Sequence, residues 1–266
     1  MSFDREDQMG RLDGKVAIIT GASKGLGEAD ARLFAKEGAT VIMTDVDEAA
    51  GQAVAAEIGA TFIKQDVRDE DGWKTLVADV VSTHGGLHVL VNNAGVVEPG
   101  TIENQSYDDY KFVMEVSADG TFLGCKYAVP AMKASGGGSI INMASIASVQ
   151  GEPYVAAYCA AKGAVEALSR SIAVHCAQQK YNIRCNSIHP SGIVTPMVMS
   201  MGEKMTEAGM MTLQESGDGA GNSKLGEPND IAHTVVFLAS DESKFISGAQ
   251  IRVDNSMSVV TGVVPE

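Results

Sequence analysis

The sequence is short of positive charge. Its 266 residues carry 20 lysines and arginines against 34 acids, a formal net charge of −14. An acidic surface repels nucleic-acid phosphates and anionic lipid headgroups, so no nucleic acid and no membrane surface is expected as a partner, and the acidity serves solubility. No apolar run reaches the roughly 18 residues that a membrane span needs. The opening MSFDREDQMG is acidic and holds no apolar stretch, so no secretory leader is expected and the expected compartment is the cytoplasm. Cysteines are few: Cys125, Cys159, Cys176 and Cys185 form no C-x-x-C pair, sit in apolar surroundings and are expected as buried free thiols. His84 and His88 have the spacing of one helix face, but Gly85 and Gly86 break that helix, and no metal site is expected. Linkers, repeats and low-complexity segments are absent, which implies one domain over residues 1–266.

What is present is an alternation of strand-like and helix-like segments. KVAIIT (15–20), ATVIMTD (39–45), ATFIKQD (60–66), LHVLVNN (87–93), GSIINMAS (138–145) and YNIRCNSI (181–188) are short apolar runs, the signature of strands buried on both faces. A further strand is expected near 249–253. Helices are expected after the glycines to Lys36, at 47–58, 69–83, from Ser106 to about Ala134 with a weak point at Ala118–Gly120, at 154–178, near 197–210 and at 228–240. This order predicts an α/β fold, a doubly wound parallel sheet of about seven strands with helices on both faces. The long irregular stretch 189–227 is the exception to short connections and is read as a substrate loop.

Between the first strand and first helix lies Gly21-Ala22-Ser23-Lys24-Gly25-Leu26-Gly27. Unpaired N–H groups at a helix start favour anions, and glycines let a pyrophosphate approach the backbone. Residues Gly21, Ser23, Lys24, Gly25, Leu26 and Gly27 are therefore candidates for holding a dinucleotide. The same letters also spell G-x-S-x-G around Ser23, the nucleophile elbow of α/β-hydrolases; against it, only one strand precedes the loop. Tyr158 and Lys162 stand one helical turn apart and point to one side. A free tyrosine has a pKa of about 10. A neighbouring ammonium favours the phenolate and is expected to lower that value, making Tyr158 a general base. Ser145, at the end of an apolar strand, can bond a substrate oxygen; Ser139 and Ser148 are lesser candidates.

The G-x-x-x-G-x-G spacing, Asp66-Val67, Asn92-Asn93-Ala94-Gly95, Ser145, Tyr158-x-x-x-Lys162 and Pro190…Thr195, in this order over nearly the whole chain, resemble the short-chain dehydrogenase/reductase superfamily. The resemblance implies a Rossmann-type fold, a nicotinamide cofactor and hydride transfer between that cofactor and a small alcohol or ketone. It selects Ser145, Tyr158 and Lys162 as catalytic, with Lys162 also on the nicotinamide ribose. It implies that Asp66 meets the adenine amino group, that Val67 adds a backbone contact, that Asn93, Ala94 and Gly95 approach the cofactor, and that Pro190, Ile193 and Thr195 lie at the nicotinamide carboxamide. Hydride transfer from the pro-S side is implied as well. Asp45, ending the second strand, suits free ribose hydroxyls and repels a 2′-phosphate, whereas Lys24 argues for that phosphate; the carboxylate outweighs a flexible lysine, so NAD is the expected cofactor.

Two departures stand out. Many relatives place an asparagine where this chain has Ser117; it opens the helix and holds a water that relays protons to the lysine. Ser117 is the candidate for that role, with a shorter reach. Ser191 also stands in Pro190-Ser191-Gly192 where relatives have Pro-Gly. Met197, Met199, Met201, Met205, Met210 and Met211 suit either a soft apolar lid or core packing, and Val97, Tyr154 and Gln150-Gly151-Glu152 are expected to complete the pocket. SIINMAS, NSIHPSGIVTPM and FLASDES resemble bacterial 3β/17β-hydroxysteroid dehydrogenases, which implies a bulky apolar or alicyclic secondary alcohol. Relatives are commonly tetramers, so a homotetramer is expected by analogy. A cofactor-binding regulator with a weak site is the remaining alternative, and the intact Ser145, Tyr158 and Lys162 speak against it.

Overall fold

The computed structural model describes residues 10–207, 209 and 225–259. The part of the substrate loop between 210 and 224, with Met210 and Met211, lies outside the described residues. Seven parallel strands form one sheet in the order β3-β2-β1-β4-β5-β6-β7. They are β1 (Val16–Thr20), β2 (Thr40–Asp45), β3 (Thr61–Lys64), β4 (Val89–Asn92), β5 (Gly138–Met143), β6 (Ile183–Pro190) and β7 (Gln250–Val253). The helices are α1 (Gly25–Lys36), α2 (Glu48–Ile58), α3 (Glu70–His84), α4 (Tyr107–Met114), α5 (Gly120–Ala134), α6 (Ala156–Gln178), α7 (Pro196–Glu207) and α8 (Pro228–Ala239).

Strand side chains alternate between two cores, as a sheet covered on both faces demands. Ala17, Ile19, Val41 and Met43 pack under Phe34 of α1 and Ile231, Val235 and Leu238 of α8. Val16, Ile18, Ile42 and Leu90 pack under Trp73, Leu76 and Val80 of α3 and Met132 of α5. The doubly wound α/β fold read from the sequence is thus present. Strand order reverses direction between β1 and β4, and the loops leaving these two strands diverge into a crevice, where ligands bind in open α/β sheets.

The long helix expected over 106–134 is interrupted. Ser106 caps its start by accepting from Asp109 N at 3.0 Å. A π-turn over Glu115–Asp119 then separates α4 from α5. Such a turn carries one extra residue and leaves backbone groups out of register, often at functional sites. The weak point expected at Ala118–Gly120 belongs to this turn, which begins earlier because the inserted residue distorts the preceding hydrogen bonds. Ser117 lies inside it and is fully buried.

Candidate active site

The glycine loop is shaped by contacts that tolerate no side chain. Gly21 and Gly25 take φ of 63° and 62°, a region costly for other residues. A Cβ on Gly27 would come within 2.3 Å of the Gly21 carbonyl oxygen. Thr20 stitches this loop to β4: its hydroxyl accepts from Asn93 N at 3.1 Å and Ala94 N at 3.0 Å. Asn93 returns the link, its Nδ2 donating to the carbonyls of Thr20 at 2.9 Å and Gly21 at 3.0 Å. Asn93 therefore braces the loop from the side. Asn92 is turned into the core, where its Nδ2 donates to Asn142 Oδ1 at 2.8 Å.

The crevice is a cleft of about 580 Å³. It brings together Gly21, Lys24, Gly25, Leu26, Asp45, Asp66, Val67, Asn93, Ala94, Gly95, Tyr158, Lys162 and Thr195, which the sequence had singled out. Ser23, Gly27, Ser117, Ser145, Pro190 and Ile193 are buried and do not line it. The Ser23 backbone N–H and hydroxyl donate to Asp45 Oδ2 at 3.0 and 2.7 Å, and Asp47 N donates to Asp45 Oδ1 at 3.0 Å. That arrangement sets the hydrolase alternative aside: the Ser23 hydroxyl is buried and serves an aspartate, with no histidine against it. Lys24 is 61% exposed and reaches Asp47 at 3.9 Å.

At the same end Asp66 is gripped by Arg68, whose Nη2 approaches Oδ2 at 2.6 Å and whose Nε donates to Oδ1 at 3.0 Å. The guanidinium holds the Asp66 carboxyl below the usual carboxylate range. Arg68 also lies 5.5 Å from the Phe112 ring centroid. The Val67 carbonyl is occupied by Trp73 Nε1 at 2.9 Å, so the backbone group Val67 offers a ligand is its N–H. Gln65 lines the cleft with both side-chain polar atoms buried and unpartnered. Sequence reasoning missed Gln65, Arg68 and Phe112. Gln65 and Arg68 flank the Asp66-Val67 pair in sequence, whereas only folding brings Phe112 across.

The far end of the cleft is poor in charge. Lys162 is 3% exposed and donates to the Met143 carbonyl at 2.6 Å. Burial pushes its ammonium down to about 8. Nζ lies 5.4 Å from the Tyr158 ring centroid. The expected lowering of the tyrosine's pKa rests on the ammonium helped by an oxidised nicotinamide; of the protein's own groups, burial dominates and pushes the Tyr158 phenol up to about 12, opposed by the Ser145 hydroxyl beside it. Desolvation of the phenolate outweighs an ammonium that points to a backbone carbonyl. Tyr158 nevertheless stays partly exposed to the cleft.

Gly95 separates two polar groups. A Cβ there would lie 3.3 Å from Lys162 Nζ and 3.5 Å from Ser117 Oγ, so lysine and serine face the same gap. Val96 N approaches Ser117 Oγ at 3.5 Å, and the Ser117 carbonyl accepts from Thr121 Oγ1 at 2.7 Å. Ser139 and Ser148 are engaged elsewhere: their hydroxyls donate to the carbonyls of Leu238 and Ser145, each at 2.7 Å.

On the substrate side the methionines divide. Met197 and Met201 line the cleft, Met199 faces solvent and Met205 is buried. Val97 lines the cleft as expected, but Tyr154 and Gln150-Gly151-Glu152 do not. A bridge pairing Gly100 with Val155 draws that loop aside, and Gln150 Nε2 donates to the Met257 carbonyl at 3.2 Å. Cys125, Cys176 and Cys185 are buried free thiols as expected, whereas Cys159 is only half-buried, because it follows Tyr158 on the outward side of α6. Among the described residues no three His, Cys, Asp or Glu side chains gather as a metal site, and no helix is long and apolar enough to cross a membrane.

The site accords with a nicotinamide dinucleotide. The glycine cradle at the start of α1 suits a pyrophosphate, and the orphaned Gln65 beside Asp66 offers hydrogen bonds to a ligand. Comparison with known proteins points the same way. The family model described as Enoyl-(Acyl carrier protein) reductase matches residues 21–258. A 3-beta-hydroxysteroid dehydrogenase of Comamonas testosteroni is 43% identical over 249 residues, covering 93% of this chain and 97% of that one. An NADP-dependent (R)-specific alcohol dehydrogenase of Lentilactobacillus kefiri is 41% identical over 249 residues, covering 92% and 96%. Among solved structures, levodione reductase superposes with a TM-score of 0.86 at 29% identity, covering 94% of this chain and 99% of that one. The chain belongs to the short-chain dehydrogenase/reductase family and is an oxidoreductase acting on CH–OH groups with a nicotinamide cofactor.

Proposed function

We propose that this protein interconverts a bulky apolar or alicyclic secondary alcohol and its ketone, with NAD preferred over NADP. The observation that carries the reading is one cleft with Asp45 and the glycine loop at one end and Tyr158 with Lys162 at the other. When bound, the nicotinamide supplies the acceptor or donor of the hydride. In the oxidising direction Ser145 holds the substrate oxygen and Tyr158 removes the hydroxyl proton; in reduction Tyr158 returns it. Lys162 holds the nicotinamide ribose and passes protons to and from the tyrosine through the gap that Ser117 lines. Gly25, Leu26 and Gly27 would offer backbone N–H groups to the cofactor's pyrophosphate. Asp45 meets the ribose hydroxyls, Asp66 the adenine amino group and Val67 N–H the ring, while Ile193 and Thr195 approach the carboxamide and Pro190 shapes their turn.

NAD is favoured on charge. Asp45 would meet the ribose hydroxyls, Lys24 leans toward Asp47, and Arg68 is engaged by Asp66. A 2′-phosphate would add negative charge beside two carboxylates. For the substrate, the apolar contribution of Val97, Met197 and Met201 to the cleft supports a large hydrocarbon body. One domain over residues 1–266, a homotetramer and a cytoplasmic location complete the reading.

The experiment is a screen of the purified protein with NAD and, separately, NADP against isopropanol, cyclohexanol, a phenyl-substituted ethanol and a 3-hydroxysteroid, following reduced-nicotinamide absorbance. Turnover with NAD that favours the bulky alcohols supports the proposal. A preference for isopropanol, or for NADP, contradicts the corresponding half of it.

A further inference from the structure

Behind the site serine lies a buried polar cluster that the reaction as described does not use. Ser145 is followed by a 3₁₀ turn, Ile146–Ser148, and its carbonyl accepts three donors. Ser148 N reaches it at 3.0 Å, Ser148 Oγ at 2.7 Å and His189 Nδ1 at 3.1 Å. His189 belongs to the end of β6, the strand beside β5, and is completely buried. Its Nδ1 also lies 2.9 Å from Ser148 Oγ, and its Nε2 lies 2.8 Å from Ser187 Oγ.

The contacts fix the imidazole's protonation. A carbonyl only accepts, so Nδ1 must carry the hydrogen that faces it. Ser148 spends its own hydrogen on the same carbonyl and accepts from Nδ1. Nε2 is then the acceptor of the Ser187 hydroxyl. Burial favours the same neutral ring, pushing its pKa below the usual histidine value. The Glu166 carboxylate of α6 draws on Ser148 and faces the imidazole. The cluster ends on the backbone of the residue whose hydroxyl must face the substrate oxygen. That hydroxyl is fixed in turn, accepting from Ala147 N at 3.1 Å.

We infer that His189 is a positioning residue for Ser145: a neutral, Nδ1-protonated imidazole that clamps the Ser145 carbonyl between the ends of β5 and β6 and so sets the direction of the serine hydroxyl. The inference rests on the reading of Ser145 as the ligand of the substrate oxygen. His189 touches neither substrate nor cofactor and acts only through Ser145. It also precedes Pro190, so the same ring ties the serine turn to the segment that leads to Ile193 and Thr195.

A double-mutant cycle tests this, with saturating NAD and cyclohexanol, or the panel alcohol of highest kcat/KM. His189→Gln removes the donor at the Nδ1 position, whereas His189→Asn keeps an amide N–H at that reach. His189→Gln is expected to lower kcat about tenfold or more, since small misplacement at a reacting centre is costly. The KM for NAD should stay unchanged, and His189→Asn should restore kcat to within about threefold of wild type. In a Ser145→Ala background, His189→Gln should add less than about twofold, because the two changes remove one function. A residue that only fills space would lower the melting temperature without this non-additivity. Should His189→Gln not fold, Ser148→Ala removes one hydroxyl from the same carbonyl; a fall in kcat that vanishes in the Ser145→Ala background supports the inference. A crippled Ser145→Ala enzyme beside a fully active His189→Gln, or Ser148→Ala where that stands in, overturns it. A Ser145→Ala enzyme with wild-type kcat overturns the serine assignment and the inference together.

Discussion

The two ends of the cleft are built on opposite electrostatic terms. At the adenine end the charges are several, solvated and paired: Lys24 with Asp47, and Arg68 with Asp66. There the carboxylate is stabilised, and Asp66 is held below its usual range by its arginine. At the catalytic end the groups are few and desolvated, and burial drives both toward neutrality, Tyr158 up to about 12 and Lys162 down to about 8. Discrimination at one end therefore depends on where charges stand. At the other end the chain's own ammonium is turned to the Met143 carbonyl, and burial is the larger influence on the phenol. A cationic oxidised nicotinamide, if held beside Tyr158, would oppose that burial and so couple proton removal to the oxidised cofactor.

The largest expected effect separates the two ends outright. Tyr158→Phe should lower kcat by at least about 100-fold, the minimum for losing a general base, while the NAD dissociation constant measured by fluorescence titration stays within a few-fold. Retention of more than about a tenth of wild-type kcat would remove Tyr158 from the chemistry. Next comes the adenine end. NAD should exceed NADP by at least about tenfold in kcat/KM, the equivalent of roughly 1.4 kcal/mol, and Asp45→Ala should narrow the gap. Equal use of both cofactors would show that Lys24 outweighs Asp45. The smallest effect is expected at Ser117, which faces the Lys162 gap without charge. Ser117→Ala should lower kcat severalfold, and Ser117→Asn should keep activity. A silent alanine variant beside an asparagine variant destabilised by about 1–3 kcal/mol, read from melting temperature and kcat, would instead make Ser117 a packing residue of the π-turn.

The adenine end and the sheet were the more legible parts of the sequence. Buried parallel strands read as continuous apolar runs, and the glycine loop announces itself because Gly21, Gly25 and Gly27 have no freedom to be anything else. Asp45 and Asp66 follow from their places at strand ends. Partners that come from elsewhere in the chain were not legible. Phe112 meets Arg68 across the π-turn, and Met197, Met199, Met201 and Met205 sort among cleft, solvent and core only once α7 has been oriented. Tyr154 does not line the cleft, and nothing in the sequence spacing marks the bridge between Gly100 and Val155 beside it. The proposed catalytic pair was read from its helical spacing, but spacing says nothing of dielectric, so the upward push of burial on Tyr158 was not legible.

The pH dependence of kcat for alcohol oxidation at saturating NAD tests the central claim most directly. Burial, partly opposed by the Ser145 hydroxyl, pushes the Tyr158 phenol up to about 12. The oxidised cofactor and Lys162 must pull it down for a base to exist at neutral pH, so kcat should rise with pH and level off with an apparent pKa well below the free-phenol value of about 10. Lys162→Met should move that limb upward. A limb at or above about 10 in the wild-type enzyme, unmoved by Lys162→Met, would contradict the assignment of Tyr158 as the base that Lys162 and the cofactor activate.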